Sequence, residues 1–488
     1  MMRLLALLLA ATPVAADPLF EDRSAGLPEH IYGGEWEHFV GGGVAVFDCN
    51  GDALPDIFAA GGANPAQMLV NQGDFTFLSH DVPTMTGVTG AYPLDVDADG
   101  AIDLFVLRVG QNQLLMGEAD CRFTASDDLP EDDAWSTAFT AWWEDDGKPV
   151  MAVGNYVDRT DPDGPFGACD DNVILRPGTS GYQSTLLTPG FCPLSILAAN
   201  DARGRPTLRL SNDRHYYVRE GYEQMWDITE QRFLGQDDGW KNVSLWGMGI
   251  ASRDLTGDGR DEVMLTSMGD QLMQLAQEDG TYAAAPFTIG TYAQRPHTGD
   301  DGRPSTGWHA EFADVDNDGR ADLFIAKGNV DQMPGLAIRD PNNLLMQNAD
   351  GTFRETAASA GVATKERARG AALADFDGDG RLDLVVVNRR APMELYRNVT
   401  PDTGNWLEIA LTQSGGNVNA VGATVVVHAD GIRQSQQLTI GGGHGGGKAA
   451  PLHFGLGAAE NANVTVIWPD GQETSHQADA NQRLRLMR

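Results

Sequence analysis

Positive charge is scarce in this chain. Its 488 residues carry 34 lysines and arginines against 69 aspartates and glutamates, a formal net charge of −35. So acidic a surface repels phosphate backbones and no basic run offsets it, which argues against nucleic acid and anionic membrane as partners. Long apolar runs are also lacking: past the N-terminus nothing approaches the ~18 uninterrupted apolar residues of a membrane span. The histidines are scattered, with no HExxH and no Cys/His zinc spacing, and no G-x-S-x-G or dinucleotide fingerprint occurs. Hydrophobic residues at 42% and charged ones at 21% are ordinary globular usage, so wholesale disorder is excluded. The length suits two to four domains, or one repeat array with an appendage.

Residues 1–16, MMRLLALLLAATPVAA, read as a signal peptide: Arg3 is a minimal n-region, Leu4 to Ala11 the apolar stretch, and Val14-Ala15-Ala16 a small-residue cleavage site. Cleavage between Ala16 and Asp17 and a secreted or periplasmic location are expected. The four cysteines, Cys49, Cys121, Cys169 and Cys192, suit an oxidising compartment and allow three pairings. Cys169 with Cys192 is the local choice, closing a loop rich in Gly and Pro. Cys49 with Cys121 is what then remains.

What is abundant is a repeat: apolar strand, Asp-rich turn, apolar strand. At loop positions 1, 3, 5 and 9 stand Asp48, Asn50, Asp52 and Asp56 in the first copy and Asp95, Asp97, Asp99 and Asp103 in the second. Later copies give Asp254, Thr256, Asp258 and Glu262, then Asp314, Asp316, Asp318 and Asp322, then Asp375, Asp377, Asp379 and Asp383. Two degenerate copies near 144 and 200 have lost most of these side chains and should hold no metal. Alternate residues in a tight turn aim oxygens at one centre, and calcium takes six to eight of them. About five structural calcium sites are expected. Glycine at position 6 (Gly100, Gly259, Gly319, Gly380) permits the turn; at Ala53 it is missing, and Gly51 is expected to absorb the bend. An EF-hand is excluded, because position 12 is Ala59, Val106, Leu265, Ile325 or Val386 and the flanks read as buried strands.

Seven such units imply an all-β chain built as a seven-bladed β-propeller over 17–399. PLFEDRSAGL at 18–27 resembles FRETAASAGV at 353–362, so the chain starts partway through a unit, as a propeller does when its first strand completes the last blade. Residues 404–488 form a small C-terminal β-rich domain, with alternating strands such as WLEIAL and VTVIW.

The repeats resemble FG-GAP/VCBS propeller repeats. Asn405-Trp406-Leu407, Val421-Gly422-Ala423-Thr424-Val425, Leu452-His453-Phe454-Gly455-Leu456-Gly457 and Trp468-Pro469-Asp470-Gly471 resemble the ASPIC/UnbV domain. The ordered pair resembles the cartilage acidic protein family. That resemblance implies a secreted, calcium-stabilised propeller acting in binding or adhesion, with an extracellular or periplasmic protein or glycan as partner. Where the family usually has a Ser/Tyr-rich segment, this chain has the glycine run Ile440–Lys448.

GGHGGGKA at 442–449 nearly fits a phosphate-binding loop, but Ala449 stands where Ser or Thr should meet magnesium and no helix pattern follows, so it reads as a flexible loop. Trp308-His309 and Trp246 to Gly249 lie on strands entering blades, near the central channel, and read as packing residues. Trp142-Trp143 and Tyr216-Tyr217 are adjacent aromatic pairs in the degenerate blades, again read first as packing. The leading reading is a non-catalytic binding module. The alternative is a propeller hydrolase or lyase on glycan or a small substrate, with its site at the central channel.

Overall fold

The computed structural model describes residues 17–161, 167–213, 221–292, 303–331 and 333–488. The expected signal peptide and Tyr216-Tyr217 lie outside the described residues. Seven antiparallel sheets follow one another, their inner strands being Val44–Phe47, Val88–Leu94, Ser136–Trp142, Pro193–Asn200, Gly247–Arg253, Gly307–Ala313 and Arg367–Ala374. Neighbouring inner strands pack side by side, and Arg367–Ala374 meets Val44–Phe47, so the ring is closed. The closing device is the expected one: Phe20–Asp22 pairs antiparallel with Glu394–Asn398 as the outer strand of the seventh blade. This is a seven-bladed β-propeller.

Inner and second strands are buried along nearly their whole length because both their faces meet neighbouring blades, which is why most read as continuous rather than alternating runs. Phe47, Phe58, Phe123 and Phe376 lie in one core spanning the first, second and seventh blades. Trp142 is buried and Trp143 packs partly buried, so the pair serves the blades as expected. Disulfides join Cys49 to Cys121 and Cys169 to Cys192.

Beyond the propeller, strands Asn405–Thr412, Leu452–Gly457 and Gln482–Met487 make one sheet. Thr424–Ala429, Ile432–Gln437, Asn461–Ile467 and Glu473–Asp479 make a second. Leu407, Ile409, Val425, Phe454, Val464 and Trp468 form the core of this unit. It sits as a lid on the propeller face that carries the Asp loops: Gln437 Oε1 accepts from the Asn200 amide, and Asp146 Oδ1 from the Gly416 amide.

The glycine run is not the flexible loop that composition implies. Residues 440–449 leave the lid and fill the central channel, touching the inner strand of every blade. Thr140 Oγ donates to Ile440 O, and the amides of Gly442 and Gly443 donate to Ile196 O (2.8 Å) and Ile250 O (2.7 Å). The His444 amide donates to His309 Nδ1 (3.2 Å), Ala91 N–H to Gly445 O, and Val46 N–H to Gly447 O. Lys448 Nζ donates to Leu373 O (2.8 Å) and pairs with Glu311. A backbone this close leaves no room for a Cβ at two of the glycines it passes: at Gly43 or Gly90 one would lie 1.7 or 1.8 Å from Gly445 O. His444 is fully buried against Trp308 (ring centroids 4.9 Å apart); burial, then Arg369 and His309, push its imidazole down to about 3, so it is neutral.

Candidate metal centres

Each Asp loop joins an inner strand to the second strand of its blade. The position-1 aspartate folds the turn by accepting backbone amides: Asp95 takes those of Ala98 and Gly100, Asp314 those of Asp318 and Gly319, and Asp375 those of Gly378, Asp379 and Gly380. The position-9 acid ties the loop to the sheet. Asp322 accepts from Val315 N and Gln347 N, Asp383 from Phe376 N and Asn398 N, and Asp103 from Val96 N and Gly117 N. Two positions per turn adopt left-handed backbone, the fourth and the sixth. At the sixth, Gly100, Gly259, Gly319 and Gly380 have φ between 82° and 91°; Ala53 takes φ 70° there itself, so Gly51 does not absorb the bend alone.

Among the described residues, three loops gather carboxylates with oxygens within 4.8 Å of one another: Asp95, Asp97 and Asp99; Asp314, Asp316 and Asp322; Asp375, Asp377 and Asp383. The loop at 314 is the most enclosed, with Asp314, Asp316 and Asp322 all 1–2% exposed. Both oxygens of Asp316 are buried without a hydrogen-bond partner. Burial, then the Asp318 charge, pushes Asp316 up to about 7; burial and neighbouring carboxylates hold Asp314 and Asp322 well above the usual range. Burial raises Asp103 to about 7 and, with Glu408, Asp375 to about 6. Such a group of buried acids needs protons or a cation. An oxygen-only donor set with an orphaned buried carboxylate fits a metal ion.

The other two loops are built differently. At 254, Arg433 of the lid reaches Asp254 Oδ2 (2.7 Å) and Gly257 O (3.1 Å), and Ser435 Oγ donates to the same carboxylate oxygen. Asp258 pairs with Arg260, and Glu262 accepts from Leu255 N. Among the described residues, Asp254, Asp258 and Glu262 belong to no such cluster of acids. At 48, Asp48 accepts the Gly51 and Ala53 amides, Asn50 donates to Asp52, and Asp56 turns inward to the Cys49 and Asn71 amides. Asp56, Cys49 and Cys121 do lie together, but the two sulfurs are joined to each other. In the degenerate copies the remaining acids pair with arginines: Glu144 with Arg176 and Asp201 with Arg205. The alternating pattern could not reveal Arg433, Ser435, Arg483 or His453, all from the lid; the one local signal was glycine in LHFGLG.

The FG-GAP-like repeat matches residues 48–106, 254–325 and 331–386, and the ASPIC and UnbV domain matches 413–488. The chain thus carries FG-GAP-like repeats followed by an ASPIC and UnbV domain, and it is similar in sequence to cartilage acidic protein 1. Cartilage acidic protein 1 of Mus musculus and that of Homo sapiens are each 29% identical to it over 167 residues, 33% of this chain and 25% of theirs. The match thus spans about a quarter of those relatives' length. Among solved structures, BBS1N in complex with ARL6DN superposes on 78% of this chain and 97% of its own, with a TM-score of 0.46 and 9% identity. YCF48 bound to D1 peptide gives a TM-score of 0.42 over 79% and 99%, also at 9% identity. No helix of the described residues is long and apolar enough to cross a membrane.

Proposed function

We propose that the chain is an exported, calcium-braced, non-catalytic interaction scaffold. The observation that carries the calcium reading is the loop at 314, where three buried acids converge and Asp316 has no partner for either oxygen. Calcium is the hard cation that such oxygens suit, and the loops at 95, 314 and 375 are its three best-formed seats. The signal peptide reading and the two disulfides favour an oxidising compartment. The channel where a propeller hydrolase or lyase would place its site is occupied by residues 440–449, which favours the binding reading and directs an extracellular or periplasmic protein or glycan to the outer surfaces. Elemental analysis of the purified mature chain should return about three calcium ions, and a chelator should lower the melting temperature. At free calcium 100 times Kd each site contributes about 2.7 kcal/mol. A metal-free protein whose melting curve ignores both calcium and chelator would overturn the reading.

A further inference from the structure

The lid treats the three carboxylate clusters unequally. At the loop at 314 it binds the backbone of the ligand loop itself: Gly404 N–H donates to Asp316 O (2.9 Å), Gly457 N–H to Asn317 O (2.8 Å), and His453 Nε2 lies 2.7 Å from Asn317 Oδ1. Lid backbone is pressed against the cluster, for a Cβ at Gly455 would come within 2.1 Å of Asp314 Oδ2. Asn317 is held at φ 57° between the two ligand candidates Asp316 and Asp318, and its side-chain amide donates to Gly380 O, tying this loop to the one at 375. There Arg483 of the lid lies 3.2 Å from Asp375 Oδ2, and Trp406 leaves no space for a Cβ at Gly380. By contrast, among the described residues no hydrogen bond or ion pair joins residues 95–103 to the lid; their side-chain hydrogen bonds stay within 95–117, and the core that holds Val96 meets Val421 and Ile440 by apolar packing alone.

We infer that cations at the loops at 314 and 375 lock the lid and the channel segment it carries, whereas one at the loop at 95 braces its own blade only; this rests on the calcium reading above. Without a cation, the buried carboxylates of Asp314, Asp316 and Asp322 repel one another and the turn relaxes. Its carbonyls at Asp316 and Asn317, the lid's acceptors, move with it. Arg483 alone does not replace the cation at 375, because it is shared with Glu408 and Ala53 O. Residues 440–449 have one anchor at each end in the lid, so a loosened lid loosens the segment. Linkage is reciprocal: whatever factor cations add to lid seating, the lid adds to cation affinity.

The test uses the full mature chain, with calcium as the probe, calcium binding counted by calorimetry, and hydrogen exchange read at the Gly442 and Gly443 amides in the channel. Asp316→Asn and Asp97→Asn should each remove one calcium. Exchange at the channel amides should rise ~10-fold or more, within the 5- to 150-fold range of such couplings, in chelator and in Asp316→Asn, and stay at the wild-type rate in Asp97→Asn. His453→Ala, which touches no carboxylate of the cluster, should weaken one calcium site by a comparable factor while the far-ultraviolet spectrum stays native. If both Asp variants lose a calcium and exchange alike, or His453→Ala binds calcium like wild type, the coupling is wrong although the calcium reading stands. If wild type binds no calcium at all, both fall together.

Discussion

Arg433 extends from the lid into the loop at 254 and places its guanidinium 2.7 Å from the Oδ2 of Asp254, whose side chain is wholly buried. A positive group thus stands on the position-1 aspartate of a loop that the repeat pattern marks for calcium. Removing it strands a buried carboxylate, which costs more than the pair itself contributes. Arg433→Met should therefore lower stability by about 1–3 kcal/mol in chelator. With Asp254 freed of its guanidinium, excess calcium should return part of that loss, and the calcium count should rise by one. A count that does not change shows that the loop at 254 cannot hold an ion even when vacant of arginine.

Ala53 stands at the sixth turn position with φ 70°, where four sister loops have glycine. Left-handed backbone costs a residue with a Cβ roughly 1–2 kcal/mol, and glycine gives back part of that through unfolded-chain entropy. Ala53→Gly should raise the urea midpoint, by about 0.5–1 kcal/mol in stability, with no change in the denaturant slope. A lower midpoint would mean that Ala53 makes a contact worth more than the strain.

Blades, closure and turns were legible because their determinants are local. Four Asp-x-Asx-x-Asp turns and a fifth with Thr256 in the third place marked the unit, and likeness between 18–27 and 353–362 disclosed the shared seventh blade. The repeat pattern, which marks five loops for calcium, carries no sign of Arg433, because that residue lies 179 positions from Asp254 along the chain. The glycine run was misjudged for the same reason. Its glycines look like slack in isolation, yet a Cβ at Gly443 would meet the His309 ring at 2.6 Å and one at Gly445 would lie 3.2 Å from the Gly43 Cα. Trp308 and His309 were placed near the channel correctly, but what they face, His444, could not be read from their own segment.

Gly90 offers a direct handle on the channel segment. A methyl group there would lie 1.8 Å from the Gly445 carbonyl oxygen, and the obstruction is backbone on both sides, so neither can rotate away. Overpacking of this kind costs about 1–3 kcal/mol or more. Gly90→Ala should unseat residues 440–449 and deprotect their amides in hydrogen exchange while the blades keep their protection. Wild-type exchange at Gly442 and Gly443 in this variant would show that the segment can sidestep the strand.

Glu223 should impose a pH dependence unrelated to metal. It is fully buried; its Oε1 accepts the Asn212 amide (3.0 Å), and its Oε2 has no partner among the described residues. Burial raises it to about 8, with Asp213 adding to the rise and the Asn212 amide, Ser211 and Arg209 opposing it. The folded state therefore keeps a proton that the unfolded chain releases near 4.5. Stability from this group is complete below that value and is lost as pH climbs toward 8, by roughly 1.4 kcal/mol per pH unit inside the window. Glu223→Gln stays neutral throughout. Urea unfolding in saturating calcium at pH 5.5 and 7.5 should show the variant gaining on wild type by about 2 kcal/mol at the higher pH. Equal pH slopes for the two proteins would mean that Glu223 is already ionised in the fold.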